Sequence, residues 1–231
     1  MKFLAIICAR GGSKGLKNKN LKIIGNHPLI GHAINMAKSI KQIDKIIVST
    51  DSLKIARCAK KYGAEVPFLR PKKISTDRSK EIDAWKHALK FYQKQNIFFD
   101  AIISLPCTSP LRAKVDIINC IKKYQTNKFE AIITIKKSHR NPYFNMVKKK
   151  DNRFEIVNKG KEYLHNRQDA PETFDVCTLC YIAKTKFIKH AKNIFQGNVG
   201  AVLVPEKRSI DIDNKLDYEL AKNIYEKKIK L

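Results

Sequence analysis

Twelve residues near the start of the chain, ARGGSKGLKNKN at 9–20, combine two adjacent glycines, a serine and four cationic side chains directly after the apolar run FLAIIC. Glycine lets backbone N–H groups approach an anion, and Lys or Arg neutralises phosphate charge. The segment therefore predicts a polyphosphate-binding loop, whose cations are Arg10, Lys14, Lys17 and Lys19. The closing Gly-Lys-Ser/Thr element of a P-loop is absent, and a solvated basic loop is the alternative.

The acidic triplet DID places Asp211 and Asp213 one residue apart. On an extended segment, residues i and i+2 point to the same face. Two carboxylates beside phosphates provide hard oxygen ligands for Mg²⁺, with phosphate oxygens and water completing the octahedron. We therefore predict that Asp211 and Asp213 bind Mg²⁺. An exposed acidic pair without a ligand is the alternative.

Apolar β-prone runs alternate with helical periods along most of the chain. Strands are expected at 2–9, 45–50, 65–69, 101–105, 130–136, 175–183 and 200–205. Helices are expected at 28–40, 52–63, 80–95, 116–125 and 215–229. This alternation predicts a three-layer α/β fold with a mostly parallel sheet and helices on both faces. Ligands of such sheets bind beyond the carboxyl ends of the strands, so the loops after residues 8, 50, 69, 105 and 136 are expected to share one rim.

The stretch 138–175 is polar, rich in Asn and Lys and without helical period. We predict an irregular or β-hairpin excursion there, with a possible subunit contact, inside a single domain of residues 1–231. Six cysteines show no disulfide spacing, and Cys177 and Cys180 form only a lone C-x-x-C, so buried reduced thiols are expected.

The chain carries 47 basic and 21 acidic residues, for a net charge of +26. The lysines are spread along the whole sequence without an Arg-rich tract, which favours general surface basicity over nucleic-acid binding. A nucleic-acid-binding protein stays the rival, and it would show steeply salt-dependent binding. No apolar run approaches the roughly 20 residues of a membrane span, and the N-terminal run is too short for a secretory signal, so we expect a cytoplasmic protein without membrane contact.

The opening segment ARGGSKGLKNKNL resembles the signature of the cytidylyltransferases that activate sialic acid and related nine-carbon keto-acid sugars as CMP-sugars. Further collinear segments carry the resemblance over nearly the whole chain: STDS (49–52), YGAEVPFLRP (62–71), TSPLR (108–112), RNPYFN (140–145), NRQDAPETFD (166–175) and DIDNKLDYELA (211–221). RNPYFN is similar to the bacterial branch that acts on legionaminic-type sugars. The resemblance implies a Rossmann-like nucleotidyltransferase fold, a homodimer, and the reaction of CTP with a nonulosonic acid to give CMP-sugar and pyrophosphate.

The resemblance also implies roles by position. The nucleotide-binding set is Arg10, Gly11, Gly12, Ser13, Lys14, Lys19, Asn20, Arg70 and Ser79. The catalytic set is Arg10, Lys19 and Asp211, where the two cations stabilise charge on the phosphates. The sequence does not identify the base that takes the sugar's proton, and Asp211 and a metal-bound water are the candidates. The substrate-binding set is Thr108, Ser109, Arg112, Arg167 and Gln168, of which Thr108, Ser109 and Arg112 are either sugar-side or loop-structuring residues. Arg167 and Gln168 are expected to reach the sugar acid, either within their own chain or across a dimer interface, and an arginine in a loop salt bridge is the alternative there.

Two positions depart from the sialic-acid pattern. Pro106-Cys107 stands where the family carries Gln-Pro, and Cys177-Thr178 stands where it carries Asn-Gly. Two hydrogen-bonding contacts to the sugar are therefore missing, and altered sugar specificity is our hypothesis. Impaired activity, a binding-only relative that senses CTP or the sugar, and an enzyme for pseudaminic or an eight-carbon keto acid are the alternatives.

Overall fold

The structure is a computed structural model that describes residues 1–159, 164 and 166–228. Its strands are β1 (Phe3–Cys8), β2 (Ile23–Ile24), β3 (His27–Pro28), β4 (Ile43–Ser49), β5 (Ala101–Ser104), β6 (Ala131–Lys137), β7 (Val147–Lys150), β8 (Arg153–Ile156), β9 (Phe174–Lys184) and β10 (Val199–Leu203). Its α-helices are α1 (Leu29–Lys38), α2 (Leu53–Lys61), α3 (Glu81–Gln93), α4 (Lys114–Gln125), α5 (Thr185–His190) and α6 (Lys215–Tyr225).

A six-stranded sheet with the order β10-β6-β9-β5-β1-β4 forms the centre of the described structure. β1 pairs in parallel with β4 and β5, and β10 pairs in parallel with β6. β9 runs antiparallel to both of its neighbours, β5 and β6. The predicted mostly parallel sheet is confirmed, and the carboxyl ends of β1, β4, β5 and β6 lie on one rim together with the start of β9.

The alternating side chains of β1 divide the core into two layers. Phe3, Ala5 and Ile7 are buried against residues of α1, α2, α4 and α6. Leu4 and Ile6 are buried on the other face, against α3 and α5. A strand covered on both faces is continuously apolar, as FLAIIC is. The predicted three-layer arrangement, with helices on both faces, is confirmed.

The expected strand at 65–69 does not form. Glu65 and Leu69 make only isolated parallel bridges to Ile47 and Thr50. Pro67 between them has no N–H to donate to a ladder. The final helix ends at Tyr225, four residues before the expected end, and the short helix α5 was not expected.

The antiparallel pair β7–β8 forms a hairpin inside the stretch 138–175. Residues 160–163 and 165 of the predicted excursion lie outside the described residues. All six cysteines are free thiols, of which Cys107, Cys120, Cys177 and Cys180 are buried and Cys8 and Cys58 are half-buried. No helix within the described ranges is both long and apolar enough to cross a bilayer.

Candidate active site

A cleft of about 540 Å³ opens at the carboxyl end of the parallel strands, where the sequence analysis places the ligand. It is lined by Cys8, Arg10, Ser13, Lys14, Gly15, Lys19, Asn20, Arg70, Ile74, Ser75, Thr76, Asp77, Ser79, Lys80, Glu81, Pro106, Thr108 and Asp213. This set has five cationic side chains and three carboxylates. The cleft thus offers a net positive surface to a polyanionic ligand.

The glycine pair of the opening loop lies outside the lining of the cleft. The Gly11 N–H donates to Asp51 Oδ1 at 2.8 Å, so that amide is already paired within the protein. Neither Gly11 nor Gly12 has a positive φ or lines the cleft. Gly15 is the constrained glycine of this loop, because a Cβ there would lie 2.3 Å from the carbonyl oxygen of Asp213.

Asn20 shapes the same loop from inside. Its side chain is buried, and its Nδ2 donates to the Arg10 carbonyl at 3.0 Å. This bond holds the end of the loop, at Asn20, against its beginning, at Arg10. Asn20 and Ser13 both line the cleft, so the structure brings them together with the predicted cations.

Asp77 pairs with two of the predicted phosphate-binding cations. Its Oδ1 accepts from Arg10 Nη1, and its Oδ2 lies 2.5 Å from Lys14 Nζ. The hydrogen bonds from Lys14 and Arg10 lower the pKa of the Asp77 carboxyl, so it stays ionised. An internal carboxylate therefore occupies the position that the sequence analysis gives to a phosphate.

Lys19 joins the opening loop to the acidic triplet. Its Nζ donates to the Ile212 carbonyl at 2.7 Å and to Asp213 Oδ1 at 3.0 Å. The Lys19 side chain is 16% exposed, whereas that of Asp213 is 75% exposed. The ammonium group is therefore held in place while the carboxylate keeps most of its surface open to the cleft.

Asp211 and Asp213 sit in different environments. Asp211 Oδ1 is fully buried and has no hydrogen-bond partner within the described structure. Burial raises the pKa of the Asp211 carboxyl and the charge of Asp213 adds to the shift, while the hydroxyls of Thr108 and Thr178 and the charge of Lys19 oppose it. Within the described ranges, no three or more His, Cys, Asp or Glu side chains group to hold a metal ion.

A cluster of hydroxyl groups links the TSPLR turn to β9. Thr178 Oγ1 lies 2.8 Å from Ser109 Oγ and 3.4 Å from Thr108 Oγ1. The carbonyl of Thr108 accepts from the Ile212 N–H at 2.9 Å, which ties the turn to the DID segment. Of these residues, Thr108 lines the cleft, and Ser109 is 1% exposed behind it.

Arg112 structures the turn and does not line the cleft. It is 5% exposed, its Nε donates to the Ser109 carbonyl at 2.8 Å, and its Nη2 donates to the Pro106 carbonyl. Burial lowers the pKa of Arg112 to about 10. Of the two roles considered for Ser109 and Arg112, the contacts favour the loop-structuring one.

A wall formed by residues 70–81 closes the opposite side of the cleft. Arg70 is 7% exposed, and its Nε donates to Ser75 Oγ at 3.1 Å. Ser79 Oγ accepts from the Thr76 N–H at 2.9 Å, which shapes the loop.

Glu81, which was not among the residues predicted from sequence, also lines the cleft. Its Oε1 accepts from Ser104 Oγ at 2.5 Å and from Trp85 Nε1 at 3.2 Å. Burial raises the pKa of Glu81, and these two hydrogen bonds and the charge of Arg70 oppose that shift.

Arg167 and Gln168 lie outside the cleft of their own chain. Both are exposed in a single 3-10 turn, Arg167–Asp169, and Arg167 Nη2 donates to the His139 carbonyl at 2.7 Å.

Of the two positions that depart from the sialic-acid pattern, Pro106 lines the cleft, whereas Cys177 is buried at 3% exposure. The structure thus brings all of the nucleotide-binding set except Gly11 and Gly12 together with Thr108 and Asp213, whereas Asp211, Arg167 and Gln168 do not line the cleft.

The sequence profile of a family described as cytidylyltransferase matches residues 4–229. The chain is 34% identical over 229 residues to the post-translational flagellin modification protein B of Campylobacter coli. The alignment covers 97% of this chain and 95% of that protein. It is also 34% identical over 218 residues to a CMP-N,N'-diacetyllegionaminic acid synthase of Campylobacter jejuni subsp. jejuni serotype O:2, covering 94% of this chain and 92% of that protein.

Among solved structures, the chain is similar in fold to a CMP:2-keto-3-deoxy-manno-octonic acid synthetase complexed with CTP. The TM-score is 0.72 at 15% identity, covering 99% of this chain and 100% of that chain. At this identity the likeness supports the fold alone, a Rossmann-like nucleotidyltransferase sheet with helices on both faces.

Proposed function

Since this chain belongs to the cytidylyltransferase family, we propose that it couples CTP to a nonulosonic acid of the legionaminic or sialic type, giving a CMP-sugar and pyrophosphate. One observation carries the proposal: Lys19 joins the cationic loop to the DID triplet at the rim of the sheet, beside a cleft with an excess of cations. The relative named for CMP-N,N'-diacetyllegionaminic acid synthesis supports the choice of sugar class.

The reaction exchanges one bond at the α-phosphorus of CTP. The hydroxyl oxygen on the anomeric carbon of the sugar attacks the α-phosphorus, the bond to the bridging oxygen of the β-phosphate breaks, and pyrophosphate leaves. The hydroxyl proton passes to a base, for which Asp211 is our candidate. Such transfers depend on alignment and charge stabilisation more than on covalent chemistry by the protein.

Arg10, Lys14 and Lys19 supply the charge stabilisation. In the structure Arg10 and Lys14 are engaged by Asp77, and we propose that the triphosphate replaces this carboxylate. Lys19 keeps its bond to the Ile212 carbonyl, so its remaining donors are presented at a fixed place. Donors fixed before the reaction stabilise developing charge without a reorganisation cost.

Mg²⁺ fits the residues around Asp211. Asp211 Oδ1 is a buried oxygen without a partner among the described residues, and Asp213 keeps an open carboxylate next to it. Mg²⁺ is commonly held by one or two carboxylates together with substrate phosphates, which is consistent with a site that has only two acidic residues. When bound, the ion neutralises phosphate charge.

We assign the sugar to the side of the cleft that Thr108 and Pro106 line. Pro106 offers no side-chain hydrogen bond where the sialic-acid enzymes carry Gln, so this wall is more apolar than the family pattern. That difference suits a sugar with fewer hydroxyl groups, such as the deoxy relatives of sialic acid. Pseudaminic or eight-carbon keto acids are the competing substrates.

We further propose a homodimer formed through residues 138–175. The hairpin and the strand after it expose several apolar side chains, namely Met146, Val147, Phe154, Phe174 and Val176. A partner that covers this face would bring its own Arg167 and Gln168 towards the neighbouring cleft. Light scattering of Phe154→Lys beside Lys150→Glu, which changes charge on the opposite face of the same hairpin, tests the interface: only the first should shift the protein to monomers. The free thiols are consistent with a cytoplasmic enzyme.

The experiment for the function is pyrophosphate release from CTP and Mg²⁺ with N-acetylneuraminic, legionaminic, pseudaminic and the eight-carbon keto acid. We expect release with a nonulosonic acid, lost in Asp211→Asn. Asp151→Asn is the matched control, because Asp151 has a φ of 52° in the β7–β8 turn, a conformation that asparagine adopts readily. No release with any acid, from folded protein that binds CTP, would overturn the proposal in favour of a binding-only role.

A further inference from the structure

A second cavity, of about 840 Å³, lies at the end of the sheet opposite the cleft. Met1 precedes β1, Phe99 precedes β5 and Lys184 ends β9, and all three residues line this cavity. Helix α3 contributes lining residues between 86 and 93, and α5 contributes lining residues between 185 and 189, so the cavity is named the α3–α5 groove. No described residue lines both the α3–α5 groove and the cleft, and the two are therefore separate binding spaces.

The floor of the α3–α5 groove is apolar and reaches the protein core. Phe99, Tyr124 and Ile188 line the groove although none of them is more than 9% exposed. Leu89 adds a half-buried side chain from α3. A concave space of this volume with an apolar floor is typical of a site for a small organic ligand.

Two apolar side chains from the loop after α3 line the same groove and remain exposed. Ile97 is 38% exposed and Phe98 is 63% exposed. Backbone contacts fix this loop: the Ile97 N–H donates to the Tyr92 carbonyl at 3.0 Å, and Thr185 Oγ1 donates to the Phe99 carbonyl at 2.8 Å. Large apolar side chains that are held in water beside an apolar cavity lose the free energy of burial, and they mark an interaction site.

The rim of the α3–α5 groove is cationic. It is formed by five lysines, namely Lys86, Lys90, Lys184, Lys186 and Lys189. Their ammonium groups make no hydrogen bond or ion pair with a described residue. Asp100 is the one acidic side chain among the described residues of the lining, and its carboxylate already accepts from the Lys2 N–H at 2.6 Å. The rim therefore complements an anion, while the floor complements an apolar body.

We propose that the α3–α5 groove binds a free single-chain amphiphile with an anionic head group, of the fatty-acid type. The chain packs on the apolar floor and against Phe98, and the head group pairs with ammonium groups of the rim. Lysine suits this arrangement because its methylene stem covers apolar surface while its charge stays in water. A floor of buried core residues below the rim fits a narrow chain better than a partner helix, which is about 10–12 Å across. The site lies outside the cleft and does not depend on the proposed function.

Calorimetric titration of the whole chain with laurate, below its micelle concentration, tests the assignment. Dodecyltrimethylammonium is the matched probe, because it carries a chain of the same length on a cationic head group. We expect saturable binding of one laurate per chain, and binding of dodecyltrimethylammonium that is weaker by about tenfold or more, since like charges would meet at the rim. CTP at saturating concentration should not displace laurate, because the two sites share no described residue.

Two variants locate the bound laurate. Phe98→Ser removes an exposed apolar contact and should weaken binding by about tenfold. Lys186→Glu reverses one charge of the rim and should weaken binding by about threefold to tenfold. Lys192→Glu is the matched control, because Lys192 is exposed, lies outside the lining and gives the same change in net charge. The three side chains are exposed, so circular dichroism should show the wild-type fold in each variant.

Four results would overturn the proposal. Laurate that does not bind the wild-type chain saturably, or that CTP displaces, has no site in the α3–α5 groove. Equal losses in Lys186→Glu and Lys192→Glu would show attraction to the overall charge alone. Flotation of the protein with phosphatidylglycerol vesicles, without binding of free laurate, would assign the lysines to a membrane surface. A change of oligomeric state in Phe98→Ser, without laurate binding by the wild-type chain, would assign the groove to a second copy of the protein.

Discussion

Lys19 and Asp213 are joined by a 3.0 Å hydrogen bond that connects the beginning and the end of the chain. The contact is reinforced by the 2.7 Å bond from Lys19 to the Ile212 carbonyl and by the close approach of Gly15 to Asp213. Two segments that the sequence analysis selected for different reasons, one basic and one acidic, are thereby held as one site.

Replacing Lys19 by Met should reduce kcat/KM for CTP by about 100-fold or more, because a fixed donor to the phosphates is lost. Lys17→Met is the control in the same loop, as Lys17 is exposed and does not line the cleft. Steady-state pyrophosphate release measures both. Equal losses in the two variants would show that only the overall charge of the loop matters.

Asp77→Asn should strengthen CTP binding. The substitution removes the carboxylate that engages Arg10 and Lys14, so the triphosphate no longer has to displace it. These contacts are exposed, and we expect a gain of only about two- to fivefold in affinity, smaller at high salt. Calorimetric titration with CTP at two salt concentrations measures it, and weaker binding would instead assign Asp77 a positive role in the bound state.

Gly15→Ala should destabilise the protein by about 1–3 kcal/mol, since its Cβ would lie 2.3 Å from the Asp213 carbonyl oxygen and the backbone must shift. Gly12→Ala is the matched control, because no atom beyond its two chain neighbours lies within 4 Å of the Cβ position there. Urea unfolding gives the free energies of unfolding. Indistinguishable values for the two variants would contradict the close contact between the loop and the DID segment.

Arg208→Met should cost about 3 kcal/mol of stability, because it leaves Asp116 buried without its charge partner. Arg208 Nε and Nη2 bond the two oxygens of Asp116 at 2.9 and 2.7 Å, and the Asp116 side chain is 3% exposed. Lys207→Met, at the exposed neighbouring position, should change stability by less than about 0.5 kcal/mol. A loss below about 1 kcal/mol for Arg208→Met would show that this pair does not anchor the segment before DID.

Much of the architecture could be predicted from sequence, because buried parallel strands are continuously apolar and the intervening helices keep their period. The direction of β9 could not: its apolar pattern is the same whether it runs parallel or antiparallel to β5 and β6. The strand expected at 65–69 does not form, because Pro67 has no N–H to donate and the segment makes only isolated bridges.

The candidate site was predicted in part. The cationic loop, Arg70, Thr108 and Asp213 share the cleft, whereas Arg112 is buried behind it. Glu81 was missed because it opens a helix in KEIDAWKH, where an acidic residue in the first turn is ordinary helix chemistry. Asp77 was missed because a single acidic residue in a polar loop belongs to no sequence motif. An isolated acidic residue in a chain with several predicted phosphate-binding cations is nevertheless a candidate partner for one of those cations.

The most direct test of the central claim follows labelled phosphate from CTP in a single turnover with the acid sugar that supports release. CTP labelled at the α-phosphorus should pass its label to the sugar product, and CTP labelled at the γ-phosphorus should place all of its label in pyrophosphate. Label from the γ-position on the sugar, or α-label that remains in free CMP or CDP, would contradict nucleotidyl transfer at this cleft.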